Sequence, residues 1–420
     1  MFSLSSLTSQ KTIFTALGLL LASIVTPEVF AGTPLMNSPA TAGQLIITEF
    51  RLRGPGGAYD EFIEIYNKSG TDHVVVDSGA GAGYTVAASD GVVRCTIPND
   101  TVIANEGYFL CTNSVAYSLS GSASGNATYT TDIPDNAGIA LFNTSVTANF
   151  TLTTRVDAVG STSETNTLYK EGTGYPALTP FSIEYSFVRD ECGKGGSTST
   201  LGACPSGGAY VDIDNNATDF FFVDTNGTNA GAGQRLGAPG PQNLKSPIKR
   251  LAQFSSLLLD ATVPAASPPN RVRDFTSDPA NNSTFGTFDV RRRVVNNTGG
   301  PVTRLRFRII DLTTFPVPSG FADFRARTSA LIAVSGINDS ATCLASNGVA
   351  TTPCIVNVQG TTLEQPPSQP NGGGFNSTFS VGTVTLLTPL ANGASVNVRF
   401  LLGIQQTGTL KFFVTIEALP

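Results

Sequence analysis

Apolar and polar residues alternate along most of this chain in short runs, the period of two that sends successive side chains to opposite faces of a strand. The clearest run is Val302–Leu312, where Leu305, Phe307 and Ile309 share one face and Arg304, Arg306 and Arg308 the other. Runs of the same kind cover 286–295, 329–335, 379–387, 395–404 and 409–418. Nearer the amino terminus, Leu45–Phe50 predicts a strand and a Gly-Pro-Gly-Gly turn follows at 54–57. Asp60–Asn67 predicts the next strand, with Ile63 and Ile65 on one face and Phe62, Glu64 and Tyr66 on the other. Further strands are predicted at 72–76, 92–97, 107–112 and 138–142, divided by Gly, Asn and Pro turns. Short strands punctuated in this way predict an all-β chain built of β-sandwiches. No extended segment repeats apolar residues at helical spacing, so helix is expected only in the first residues and in a turn or two.

The amino terminus breaks the pattern. Lys11 precedes an apolar run at 12–25, and Val29-Phe30-Ala31 places a small residue before Gly32. This predicts a signal peptide over 1–31, cut after Ala31. The run is shorter than the roughly 20 apolar residues a bilayer span takes. The mature chain is therefore expected to be secreted, or to lie at the cell surface or in the periplasm, with no membrane span. What remains exceeds the roughly 250 residues at which single cores stop growing. Gly- and Pro-rich breaks at 236–246 and 264–270 divide it into expected domains at 44–243 and 250–420. Charge follows the division: residues 32–244 carry 9 Lys/Arg against 21 Asp/Glu, a balance of −12, and residues 245–420 carry 15 against 9, a balance of +6.

The first domain resembles the lamin tail family. The resemblance rests on LIITEFRLRGPGGAYDEFIEIYN at 45–67, TIPNDTVIANEGYFLCTN at 96–113 and DNAGIALFN at 135–143. It continues through DAVG at 157–160, FSIEYSFVRD at 181–190, DIDNNATDFFF at 212–222 and PGPQN at 239–243. Phe62 stands where bacterial members commonly have Trp, and the chain has no Trp at all. The resemblance implies an immunoglobulin-like sandwich over 44–243 that serves as a binding or tethering module. The second domain resembles no family in particular, and its alternation predicts a Greek-key or immunoglobulin-like sandwich.

Six cysteines fall into local pairs, Cys95 with Cys111, Cys192 with Cys204, and Cys343 with Cys354. An even count in an exported chain predicts three disulfides.

Catalytic parts are scarce. The one histidine, His73, lies in a strand-like run and is expected to be a solvated surface residue. A Ser or Cys hydrolase usually needs a His base, and a catalytic zinc usually needs several. Asp60, Glu61 and Glu64 are candidates for paired carboxylates, but Glu61 and Glu64 fall on opposite strand faces; Asp60 is expected to belong to the turn, and Glu61 or Glu64 to make a polar contact at the sheet surface. The expectation is thus a non-catalytic protein with no cofactor other than calcium. Calcium has one candidate loop, Asp212, Asp214, Asn216 and Asp219, whose alternating side chains offer oxygen; the competing reading is a loop that hydrogen-bonds its own backbone. Arg291 and Arg293, with Arg304, Arg306 and Arg308 across a predicted hairpin turn at 296–300, form the other candidate, a polyanion-binding patch for acidic glycan or extracellular DNA. Its competing reading is an arginine row that is either solvated or docked on the acidic first domain. The leading expectation is a surface-acting binding module with a protein or polysaccharide partner. A polyanion-binding adhesin, or an accessory protein or metal-dependent hydrolase, are the alternatives.

Overall fold

A computed structural model describes the backbone of residues 35–36 and all of 38–178, 182–205, 208–228 and 231–420. The expected signal peptide at 1–31 lies outside these residues. Strands dominate, and the longest helix among the described residues, Ser340–Asn347, makes two turns after an Asp339 cap that accepts from Ala341 N and Thr342 N. No helix among the described residues is long and apolar enough to cross a membrane.

The first sandwich faces a six-stranded sheet, ordered 220–224, 185–189, 45–51, 62–67, 108–113, 127–129, with a four-stranded sheet, ordered 155–159, 139–142, 83–88, 93–98. Alternation explains the packing. Ile63 and Ile65 join Ile47, Phe50, Phe109 and Phe187 against Tyr84, Val86, Ile97 and Leu141 from the facing sheet. The second sandwich packs Leu305, Phe307 and Ile309, with Ile416 and Phe379, against Val398, Phe400, Leu402 and Phe324. All three predicted disulfides form. Cys95–Cys111 joins the two sheets of the first sandwich, while Cys343–Cys354 ties the 340–347 helix to the 354–360 strand.

The two cores are separate, yet residues 34–420 form one compact unit. The 236–249 segment crosses between the sandwiches fully engaged: Leu236 N donates to Phe315 O at 2.9 Å and Ala238 N to Phe375 O at 3.0 Å. The loop at 366–374 is drawn into this seam. Gly374 lies so close to the chain that an added Cβ would sit 2.0 Å from Leu236 O, which is why only glycine fits there.

Two polar expectations are corrected. His73 is fully buried, with Nε2 3.0 Å from the Tyr84 hydroxyl, and burial pushes its pKa down. Asp60, Glu61 and Glu64 are buried as well. Alternation assigns such residues to a face without saying what covers that face. Glu61 accepts from Asn113 Nδ2 at 2.9 Å and Ile133 N at 2.7 Å. Burial nonetheless outweighs these bonds and pushes Glu61 up to about 8 from an ordinary 4.5. Between those values the folded protein holds a proton that the unfolded chain has released. The Glu61 contribution is therefore full below pH 4.5 and is lost as pH rises toward about 8. Urea midpoints taken from pH 5 to 8.5 should fall less steeply in Glu61→Gln than in the parent; identical slopes would refute this.

Candidate binding cleft and charged clusters

The outer face of the first sandwich carries Ile46, Tyr66 and Tyr108, which pack with Tyr210 and Ile248 beneath the second sandwich. Beside this cluster, at the seam, opens a cleft of about 460 Å³. Its walls include Tyr66, Lys68, Asn105, Glu106, Tyr210, Lys249, Arg250 and Gln253. Glu106 is held at the turn before the 108–113 strand with φ 60°, and Lys249 and Arg250 follow the Ile248 strand residue.

The cations differ in what they have left to offer. Lys249 Nζ is 2.7 Å from Glu191 Oε2 and 3.3 Å from the centre of the Tyr210 ring. Burial pushes its pKa down, against the pull of Glu191. Arg250 gives Nη1 to Gln253 Oε1 at 2.8 Å, but its Nε is shielded from solvent and has no hydrogen-bond partner. Burial raises Glu106, and the nearby Lys249 and Arg250 offset part of that rise. The cleft thus presents ring surface and a carboxyl group, with the unpartnered Arg250 Nε enclosed behind its wall. Sequence reasoning missed it because its walls come from five separated stretches, none of which is a motif.

The five arginines do not make one patch. The predicted hairpin between their strands is absent: Thr287–Asn296 and Arg304–Leu312 lie in different sheets. Both edges of the first are already taken, by 395–406 on one side and by 254–258 and 271–274 on the other. Arg291 pairs with Asp289 at 2.9 Å, and Arg293 Nε donates to Thr342 Oγ1 at 3.0 Å. Arg304 Nη2 meets Glu364 Oε1 at 2.8 Å, Arg306 bridges Glu364 and Glu417, and Arg308 Nε donates to Glu417 Oε1 at 2.7 Å. Arg306 and Arg308 are buried. Guanidiniums already held by buried carboxylates have little left for a polyanion, so the patch is replaced by an internal ladder of charge pairs.

That ladder reaches the first sandwich. Glu49 and Glu64 stand opposite each other on neighbouring strands, and Arg308 lies close enough to lower both. Glu49 accepts from Gly240 N at 3.0 Å and Glu64 from Gln242 N at 2.6 Å. Burial raises both carboxyls, and for Glu64 the neighbouring Glu49 adds to the rise. The docked reading of these arginines thus describes Arg308.

The four residues of the expected calcium loop do not converge. Asp214 is exposed with φ 57°. Asn216 uses its amide on backbone, accepting from Gly160 N at 2.9 Å and Glu171 N at 3.0 Å and donating to Ala158 O at 2.9 Å. Asp212 Oδ1 and Asp219 Oδ2 both face Arg189 Nη1, at 2.9 and 3.4 Å. Asp219 Oδ2 also accepts from Ile213 N and Asn215 N, the self-bonded loop that was the competing reading.

Compared with protein-family models, with curated proteins and with solved structures, the chain has no match.

Proposed function

We propose that this protein is a non-catalytic, extracytoplasmic binding protein that takes an acidic oligosaccharide segment into the seam cleft. Its first sandwich is read as a lamin-tail-like module, and its second as a partner domain that completes the cleft. The observation that carries the reading is Arg250 Nε, a buried donor in the cleft wall with no partner. Buried donors are rarely left unpaired, and a ligand carboxylate would satisfy this one with a charge-assisted bond once the Arg250 side chain turns from Gln253 toward the cleft. Tyr66 and Tyr210 offer ring surface beside it, and Lys68 adds positive charge. Three disulfides suit an oxidising compartment. The only imidazole in the chain is enclosed beside Tyr84, which supports a binding role over hydrolysis.

The test is calorimetric titration with a uronic acid oligomer, with a neutral glucose oligomer of equal length as control. The parent protein should bind the acidic oligomer selectively, and Arg250→Met should weaken that binding at least tenfold, since a bond to a charged group contributes about 1.5–3 kcal/mol. Equal binding by parent and variant, or no binding by either, would remove the proposal.

A further inference from the structure

The outer face of the second sandwich holds a charge cluster that neither the ladder nor the cleft uses. Val290, Val398 and Phe400 turn toward the core, so Arg291 and Arg399 turn outward, and Arg293 follows Arg291 on the same face. Arg291 stands directly opposite Arg399 on the neighbouring strand. Like charges placed that way repel. We propose that Arg291, Arg293 and Arg399 form a binding site for a tetrahedral dianion, either inorganic phosphate or a terminal phosphate monoester.

Charge count is the first support. Among the described residues, Asp289 is the one carboxylate in ion-pair contact with any of the three, and it serves two of them through a single oxygen. Its Oδ2 is 2.9 Å from Arg291 Nη2 and 2.9 Å from Arg399 Nη2. Arg293 pairs with no carboxylate and gives its Nε to Thr342 Oγ1 at 3.0 Å. Three guanidiniums against one carboxylate leave two positive charges. Water does little to screen them, because Arg291 and Arg399 are only 12% and 14% exposed. A phosphate monoester near neutral pH carries about −1.5 to −2, which matches the excess.

Donors remain to meet such a ligand. Arg291 spends Nε and Nη2 on Asp289, at 3.1 and 2.9 Å, which leaves Nη1. Arg293 spends only Nε, which leaves both terminal nitrogens. These three nitrogens stay open to solvent, whereas Arg399 Nε is enclosed, so Arg399 acts mainly through its charge. The planar forks of arginine suit phosphate oxygens. The surroundings favour a small group over a polymer backbone. The helix at 340–347 stands over the Arg293 end, where Thr342 meets Arg293 and Ser346 meets Asn397, the residue opposite Arg293. Residues 329–330 border Arg399, whose Nη1 lies 3.5 Å from Ala330 O.

The experiment titrates the full chain in low-salt buffer, by calorimetry, with inorganic phosphate, with methyl phosphate and with sodium nitrate as control. One saturable phosphate site with a dissociation constant at or below about 1 mM, weakened by added sodium chloride, is expected, with no nitrate site. Methyl phosphate binding at least as tightly as inorganic phosphate would mark a phosphorylated ligand, and binding of inorganic phosphate alone would mark the free ion. Arg293→Gln should weaken the site at least about tenfold, the usual loss of a bond to a charged group, while Arg304→Gln, on the other sheet, should leave it unchanged. Asp289→Asn removes the counter-charge and should tighten binding, a gain that misfolding cannot imitate. No saturable binding up to about 10 mM phosphate, full binding retained in Arg293→Gln, or binding no tighter than the parent's in a folded Asp289→Asn overturns the proposal.

Discussion

Replacing Glu417 with alanine is expected to lower the free energy of unfolding by about 3–5 kcal/mol, the usual loss when one partner of a buried ion pair is removed. Glu417 is fully buried, with one oxygen toward Arg306 and the other 2.7 Å from Arg308 Nε. Burial alone would raise its pKa, but the two guanidiniums outweigh burial and hold it below the ordinary value. Its removal leaves Arg308 facing Glu49 and Glu64 across the seam with no carboxylate on its own sheet. The damage should therefore reach both sandwiches and appear as one cooperative loss in urea unfolding. The double change Glu417→Met with Arg308→Met should recover part of it, because apolar replacement of a whole buried pair is often neutral. Arg306 would still have Glu364, 3.4 Å away. A loss below about 1 kcal/mol in Glu417→Ala would show that the ladder is not holding the seam.

Much of the fold follows from alternation. The run at 304–312 places Leu305, Phe307 and Ile309 in the core as its pattern predicts, and the strand at 62–67 turns Ile63 and Ile65 inward. The run at 379–387 does not behave this way. Its strand covers only Thr378–Ser380, and Leu386 and Leu387 stand 81% and 92% exposed. Between Gly382 and Pro389 the chain turns: Val384 still enters the second core, and Leu386 and Leu387 are left outside it. The strand at 83–88 escaped notice for the opposite reason: Gly83, Ala87 and Ala88 dilute the β signal of Tyr84, Thr85 and Val86, yet both of its edges are paired.

The sites were less visible than the strands, and the reason is the same in each case. A period of two says which residues share a face, but the cover on that face comes from chain 68 or more residues away. Arg308 reads as a surface residue until Asn376 and the 236–243 segment close over it. Glu64 reads as a sheet-surface acid until Gln242 N caps it. Asp212 was grouped with its sequence neighbours. Its spatial neighbours, Asp157 and Glu171, lie 55 and 41 positions earlier in the chain. Local pairs were the exception, because cysteines 11 to 16 residues apart need no knowledge of the fold to be matched.

Those pairs support the second large prediction. Loop-closure entropy makes the three bridges nearly equal, since their sequence separations are 16, 12 and 11 and a loop of about 15 residues corresponds to about 3 kcal/mol. Packing should separate them. Cys95 and Cys111 are both buried in the main core of the first sandwich, and their bond spans its two sheets. Replacing both with alanine removes the cross-link and leaves a void between the sheets, for a total loss of about 2–5 kcal/mol. The pair Cys192 and Cys204 closes a loop in which Cys204 is only half-buried, so its double-alanine variant should lose less, close to the entropic share alone. Urea unfolding of the two variants, with the remaining bridges intact, measures the difference directly. Equal losses would mean that the inter-sheet bridge acts only on the unfolded chain and adds nothing to the packed core.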